Sequence, residues 1–136
     1  MSLMMPKKVK YRKSFKGRRA RIAWKGNELN FGSYGLKSLD SHWVTSRQLE
    51  ASRRAIMRYL KKGGKLWIRI FPDKPVTSKG NEVPMGGGKG SVDHYVFPVT
   101  PGRILFEIDG LKKELAVSAF KKAGDKLPIK TKIISR

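Results

Sequence analysis

The chain has no cysteine, which rules out both a disulfide framework and a thiolate metal site. Its two histidines, His42 and His94, stand in no ligand spacing with a third donor. Both read as surface or packing residues, so neither a metal nor a cofactor is expected. Acidic residues are scarce: ten Asp and Glu face 31 Lys and Arg, for a formal charge of +21. A compact surface with that excess repels itself unless a polyanion lies against it. Nucleic acid is the obvious polyanion, because neutralising backbone phosphates releases condensed counterions. An anionic membrane or an acidic partner would satisfy the same arithmetic. Long apolar runs are also missing. No window approaches the roughly 20 apolar residues needed to span a bilayer. The start, Met1 to Pro6, leads into Lys7, Lys8 and Lys10 without the apolar stretch of a secretory signal. A transit peptide is excluded less firmly: residues 1–27 are basic and free of acids as such peptides are, though Gly17, Gly26 and the dense lysines break a long amphipathic helix. The expectation is a cytoplasmic protein with no membrane partner.

What is present reads as one folded body with a basic arm. At 136 residues, one domain with one modest core is the default, and Trp24, Trp43 and Trp67 argue against pure disorder. Residues 1–27 form the arm, with ten cations and no acid: Lys7, Lys8, Lys10, Arg12, Lys13, Lys16, Arg18, Arg19, Arg21 and Lys25. Such a segment cannot bury a face of its own and is irregular when free. Against RNA its cations meet phosphates, while the interleaved Tyr11, Phe15 and Trp24 stack on unpaired bases. A tail serving only solubility would not need those rings.

Residues 28–136 are then the α+β body. Glu28 to Tyr34 alternates weakly and reads as a short strand or loop. Thr45 and Gln48 have capping-box spacing, with Ser46 as a competing cap. A helix over Leu49 to Lys62 places Leu49, Ser52, Ala55, Ile56, Tyr59 and Leu60 on one arc. Arg47, Arg54, Arg58 and Lys61 fall on the other, and Gly63-Gly64 ends it. Like charges at i,i+4 such as Arg54 and Arg58 are mildly destabilising alone, which favours a phosphate-facing helix. Lys65 to Phe71 alternates as a strand that Pro72 stops. Residues 73–92 show no regular pattern and are rich in Gly and Pro, so they read as a long functional loop. His94 to Val99 and Arg103 to Asp109 read as strands joined by a type II turn at Pro101-Gly102, the first an edge or bulged strand because Pro98 lacks a donor. Leu111 to Ala123 is expected as a second helix burying Leu115, Ala116, Ala119, Phe120 and Ala123, and Lys130 to Ser135 as a last strand. The sum is an α+β fold, a mostly antiparallel sheet with two packed helices.

Catalytic patterns are absent. There is no nucleophile elbow, and Asp73, Asp93, Glu107 and Asp109 show no paired-carboxylate relation; they read as turn residues or charge partners of lysines. The run Gly86-Gly87-Gly88-Lys89-Gly90 is not a phosphate loop, because Lys89 is followed by Gly90 and by a strand. It supplies backbone able to take positive φ and approach another surface closely, with Lys79 and Lys89 as point charges. No enzyme activity and no small-molecule substrate are expected. A convergent pocket around Asp73, His94 and Asp109 would be needed to reverse that.

Several stretches together resemble the L-sixteen family of large-subunit ribosomal proteins, in its bacterial or organellar form. They are Pro6-Lys7 with Lys10 to Lys13, Phe31-Gly32 with Gly35-Leu36, Thr45 through Arg58, and Gly64-Lys65. The resemblance continues through Trp67 to Pro75, Met85-Gly86, Gly88-Lys89-Gly90, Pro101-Gly102-Arg103 and Leu127 to Thr131. Trp67 to Pro75 is the most specific of these. The resemblance implies a structural protein on large-subunit ribosomal RNA beside the transfer-RNA cleft, among neighbouring large-subunit proteins and not an obligate homo-oligomer. It would help organise the aminoacyl-tRNA and peptidyl-tRNA region of cytoplasmic or organellar ribosomes. On this chain, Lys7 to Arg21 would be embedded in RNA, Arg47, Arg54, Arg58 and Lys61 would form the basic helix, and Arg69 and Lys74 would also bind RNA. Lys79, Pro84, Met85, Gly86, Gly88, Lys89 and Gly90 would form a finger towards the peptidyl transferase region. The finger departs from the family pattern at Pro84, where many members carry Arg, and at Gly87, where Lys is common. Its tip thereby loses two cations and gains one fixed φ. A non-ribosomal nucleic-acid-binding module would fit the composition and the arm equally well, but gives no reason for Trp67 to Pro75.

Overall fold

The computed structural model describes residues 4–18, 21–60 and 63–136. Seven strands and two helices follow one another as β1 (Tyr34–Ser38), β2 (His42–Thr45), α1 (Ser46–Met57), β3 (Lys65–Ile68), β4 (Lys74–Ser78), β5 (Ser91–Val99), β6 (Ile104–Asp109), α2 (Lys113–Gly124) and β7 (Thr131–Ser135). They make two antiparallel sheets, a four-stranded one ordered β3-β6-β1-β7 and a three-stranded one ordered β2-β5-β4. The α+β expectation holds, with the strands divided between two sheets. One of the crossings between the sheets is at Pro101-Gly102. The Arg103 amide donates to the Thr100 carbonyl at 3.2 Å, and Gly102 takes φ +95°, as residue i+2 of a type II turn requires. This turn carries the chain from one sheet into the other instead of closing a hairpin.

Helix α1 begins where the capping box places it. The Gln48 amide donates to Thr45 Oγ1 at 3.2 Å and the Thr45 amide to Gln48 Oε1 at 2.9 Å, so two otherwise orphan donors are satisfied reciprocally. The α-helix stops at Met57, earlier than the glycines suggest: Tyr59 donates to the Ile56 carbonyl, tightening the last turn. Residues 61 and 62 lie outside the described residues. Leu49, Ser52, Ala55 and Ile56 are buried as expected. Ser52 Oγ donates to the Ala123 carbonyl at 3.2 Å, tying α1 to α2. On α2 the buried residues are Ala116, Ala119, Phe120 and Ala123, whereas Leu115 is exposed. Its position, one residue (about 100°) before Ala116, turns it off the stripe. Leu36, Phe106 and Ile108 meet Leu49, Ile56 and Phe120 in the core, joined by Val44 and Val99 of the smaller sheet.

The strand readings are corrected in part: β3 ends at Ile68, short of Phe71, and β5 begins at Ser91, inside the expected loop. Residues 74–78, expected within an irregular loop, form β4 and pair with β5, with a register shift at Val76/Thr77. Pro75 and the shift had concealed the pattern. Of the two readings of β5, edge or bulged, the second holds: β5 is the centre of its sheet, its register with β4 skips Asp93, and Pro98 falls where only β2 runs beside it. Of the two readings of Glu28 to Tyr34, short strand or loop, residues 28–33 take the loop, and β1 starts at Tyr34.

Those six residues instead close over β6. Ile104, Leu105, Phe106, Glu107 and Ile108 are all fully buried, so β6 is covered on both faces. In register, Glu107 sits opposite Gly35 of β1 and Trp67 of β3, and residues directly opposite share a face. The Leu29 side chain occupies the space a Cβ on Gly35 would fill, 2.3 Å from its ideal position. The Phe31 ring stacks on Trp67 at 5.9 Å. Between these two contacts, the amides of Asn30, Phe31 and Gly32 all donate to Glu107 Oε1, at 3.0, 3.0 and 3.1 Å. Oε2 takes the Arg69 guanidinium in an ion pair. Burial alone would raise the Glu107 pKa; the amides of Gly32 and Phe31 and the Arg69 cation outweigh it and hold the carboxyl below its ordinary value.

Two outcomes are expected. The stabilisation from Glu107 is complete above its unfolded pKa of about 4.3 and is lost as pH falls through the lower folded value. Glu107→Ala leaves Arg69 and three amides without their acceptor, and should cost roughly 3–5 kcal/mol. Thermal melts of both proteins between pH 7 and pH 3 check this: the gap should narrow on acidification. Gly32→Ala would put a Cβ 2.5 Å from the Ile108 carbonyl oxygen. It should destabilise by about 1–3 kcal/mol, read by urea titration.

Candidate nucleic-acid interface

The arm, where described, has neither helix nor strand. Its base is nevertheless fastened to the body. The Ala23 amide donates to the Pro101 carbonyl at 2.9 Å, the Ile104 amide to Gly26 at 2.7 Å, and Arg103 Nη1 to the Lys25 carbonyl at 3.2 Å. Gly26 needs its missing side chain here: it has φ +68°, and a Cβ would lie 2.7 Å from the Arg103 guanidinium. Arg103 also donates to the Arg69 carbonyl and lies 5.3 Å from the Phe97 ring. Partial burial, and then the nearby Arg69 charge, hold its pKa below the ordinary arginine value.

Beyond this anchor the arm presents its chemistry outward. Lys7, Lys8, Lys10, Arg12, Lys16, Arg18 and Arg21 are exposed, as are Tyr11, Phe15 and Trp24. Arg19 lies outside the described residues. Lys13 is half-buried and donates to the Lys89 carbonyl at 3.1 Å.

On α1, Arg47, Arg54 and Arg58 are exposed. Glu50 is largely buried and takes Arg53 at 2.6 Å and Arg54 at 3.2 Å. The Arg53 hydrogen bond leads in holding its carboxyl below the ordinary range, against the burial. Arg47 and Arg58 face solvent. Lys61 lies outside the described residues.

The remaining cations are differently employed. Arg69 holds Glu107, donates to the Glu28 carbonyl and sits 5.1 Å from the Phe31 ring. Lys74 donates to the Lys16 carbonyl at 2.5 Å and lies 5.2 Å from the Trp43 ring. The finger spans residues 79–90 between β4 and β5. Within it Lys79 Nζ donates to the Gly86 carbonyl at 2.8 Å, and Lys89 Nζ to the Ser14 carbonyl of the arm at 2.5 Å. Both lysines thus brace backbone. What the tip presents is Pro84, a fully exposed Met85 and glycine backbone, with Gly87 and Gly88 at φ +83° and +100°. Gly90 is constrained by close approach, since a Cβ would meet the Ser78 carbonyl at 2.5 Å.

The sequence reading missed Arg103 and the part Glu107 plays. Glu107 did leave a trace, as one acid inside the apolar run Ile104 to Ile108, where an isolated charge requires partners. Arg103 left none. The carboxylates are scattered: Asp93 bonds His94 at 2.7 Å, and Asp109 accepts from Ser33 at 2.8 Å. Asp73 lies apart, in a cleft beside the arm. No metal-binding group of three acidic or His residues occurs among the described residues, and no helix there is long and apolar enough to cross a membrane.

Comparison with known proteins places the whole of this arrangement in one family. The model of the family "Ribosomal protein L16p/L10e" matches residues 6–134. The chain is 53% identical over 134 residues to the Large ribosomal subunit protein uL16 of Alkalilimnicola ehrlichii, covering 98% of each chain. It is 58% identical to the protein of that name from Erythrobacter litoralis, covering 98% of this chain and 93% of the relative. With nearly all of the arm and body inside the matched span, the chain belongs to the ribosomal protein L16p/L10e family.

Proposed function

We propose that this chain is a non-catalytic, RNA-binding constituent of the large ribosomal subunit, working during translation in the cytoplasm. The observation that carries the reading is the arm. It is fixed at Ala23 to Gly32 by backbone bonds and the Glu107 carboxylate, and beyond that it exposes cations and aromatic rings with no acid among them. Residues 1–27 lie along ribosomal RNA, with Lys7, Lys8, Lys10, Arg12, Lys16, Arg18, Arg19 and Arg21 on phosphates. Arg47, Arg54, Arg58 and Lys61 form a second contact on residues 28–136. Lys13, Arg69 and Lys74 act mainly by holding the arm in place. The finger, through Pro84, Met85 and Gly86 to Gly88, lies against transfer RNA or the RNA beside it. Its contact there is steric and backbone-mediated, because Lys79 and Lys89 are engaged internally. Neighbouring subunit proteins complete the surroundings, and no homo-oligomer is required.

Quantitative mass spectrometry across a sucrose gradient of native lysate tests the assignment. Near-stoichiometric co-migration with large subunits, persisting through a high-salt wash, is expected. A peak among free fractions would point to a non-ribosomal nucleic-acid-binding module. With isolated RNA, contacts to about 6–10 phosphates would lower affinity roughly 10³- to 10⁵-fold between about 50 and 200 mM salt. Arg58→Ala should weaken binding and reduce the log–log salt slope by about 1 with an unchanged melt, as Arg58 is exposed. Identical binding at every salt concentration would remove α1 from the interface.

A further inference from the structure

Between the arm and the β3–β4 connection lies an open cleft of about 950 Å³. Its walls include three aromatic rings, Tyr11, Phe15 and Phe71, which are 72%, 92% and 44% exposed. None of these rings is spent on the core. Lys8 and Lys10 stand on the same walls, both exposed, with Lys10 Nζ 5.6 Å from the Tyr11 ring. A strand of RNA satisfies both features at once, with a base on a ring and its flanking phosphates on the lysines.

The cleft also contains Asp73. An acid on a wall otherwise cationic opposes the approach of phosphate, and Asp73 makes no ion pair or hydrogen bond among the described residues that would account for it. A carboxylate is an acceptor only, with two oxygens side by side. Among the four RNA bases, only guanine offers two parallel donors on its Watson–Crick edge, N1–H and the exocyclic amine. Adenine and cytosine put an acceptor beside their amine, and uracil flanks its single donor with two acceptors. On the same wall Ser14 Oγ is buried without a hydrogen-bond partner, a second polar atom for which the protein itself provides nothing.

We propose that this cleft is a pocket for one unpaired guanine of the bound RNA, stacked on Phe15 or Tyr11 and read by the Asp73 carboxylate. The proposal rests on the RNA-binding reading above and gives it a base preference. The phosphates on either side of the base meet Lys8 and Lys10. Lys74, committed to the Lys16 carbonyl, keeps the arm folded against β4 so that the cleft exists.

Fluorescence anisotropy with the full chain and nine-nucleotide RNAs tests it at one fixed salt concentration. The RNAs are all-uridine, or uridine with a central guanosine, inosine or adenosine. The guanosine oligomer should bind about tenfold more tightly than all-uridine. Inosine, which lacks the exocyclic amine, should fall between them. Asp73→Asn should reduce the guanosine advantage to less than about twofold while affinity for all-uridine RNA stays equal or rises, since a negative charge is removed. Phe15→Ala should weaken the guanosine oligomer by roughly fivefold or more. Asp73 and Phe15 are both exposed, so neither change should disturb folding. Equal, salt-dependent binding of all four oligomers overturns the pocket and leaves RNA binding standing. A guanosine preference that survives Asp73→Asn equally removes the assignment to this cleft. Absence of binding to any oligomer at low salt overturns the RNA-binding reading, and the pocket with it.

Discussion

Most of this molecule's charge is of one sign, yet its architecture depends on one buried negative group. Glu107 occupies a row of β6 between Gly35 and Trp67, where its carboxylate gathers three consecutive amides and the Arg69 guanidinium. A carboxylate with no exposure would be prohibitively costly to bury alone. With four donors it becomes an organising centre, and a half-satisfied version would be worse than an apolar residue. Every donor comes from far away in sequence. The acid therefore joins β6, the end of β3 and the segment that leads out of the arm, and it sets where the arm departs from the body.

Once that centre is in place, the cations divide into two classes. Arg69, Arg103, Lys74, Lys13, Lys79 and Lys89 bond carbonyls, rings or the buried acid within the protein. They hold the arm against the sheets and brace the finger. Those on the outer arm, with Arg47 and Arg58 on α1, face solvent. The division follows from reach and geometry. A lysine ammonium carries three donors on a flexible stem, and a planar guanidinium bridges two carbonyls in fixed directions. Either can fasten irregular backbone that has no ladder of its own.

The arm and finger are consequently not independent appendages. Lys89 of the finger donates to Ser14 of the arm, and Lys13 of the arm donates back to the Lys89 carbonyl. Lys74, at the start of the strand that leads into the finger, holds Lys16. A polyanion that orders the arm therefore also bears on the root of the finger. The finger's tip, with two lysines turned inward and glycine backbone outward, contributes shape more than charge.

The sequence by itself determined the periodic and compositional features. The capping box at Thr45 and Gln48, the buried arc of α1, the turn at Pro101-Gly102, the α+β class and the basic arm were all legible, because each depends on neighbours within a few residues or on a simple sum. The likeness to the L-sixteen family was legible too, from ordered matches along nearly the whole chain. Only the tertiary structure decided the rest. The split into two sheets and the central place of β5 depend on which strands meet, and Pro75, Pro98 and the shift at Val76/Thr77 disguised the local pattern. Residues 28–33 looked half-apolar, and only the position of Glu107 showed why they are no strand. Which cations are presented and which are used internally was likewise invisible, since a lysine's role is set by the carbonyl or phosphate that its ammonium reaches, and those partners are brought within hydrogen-bond distance only by folding.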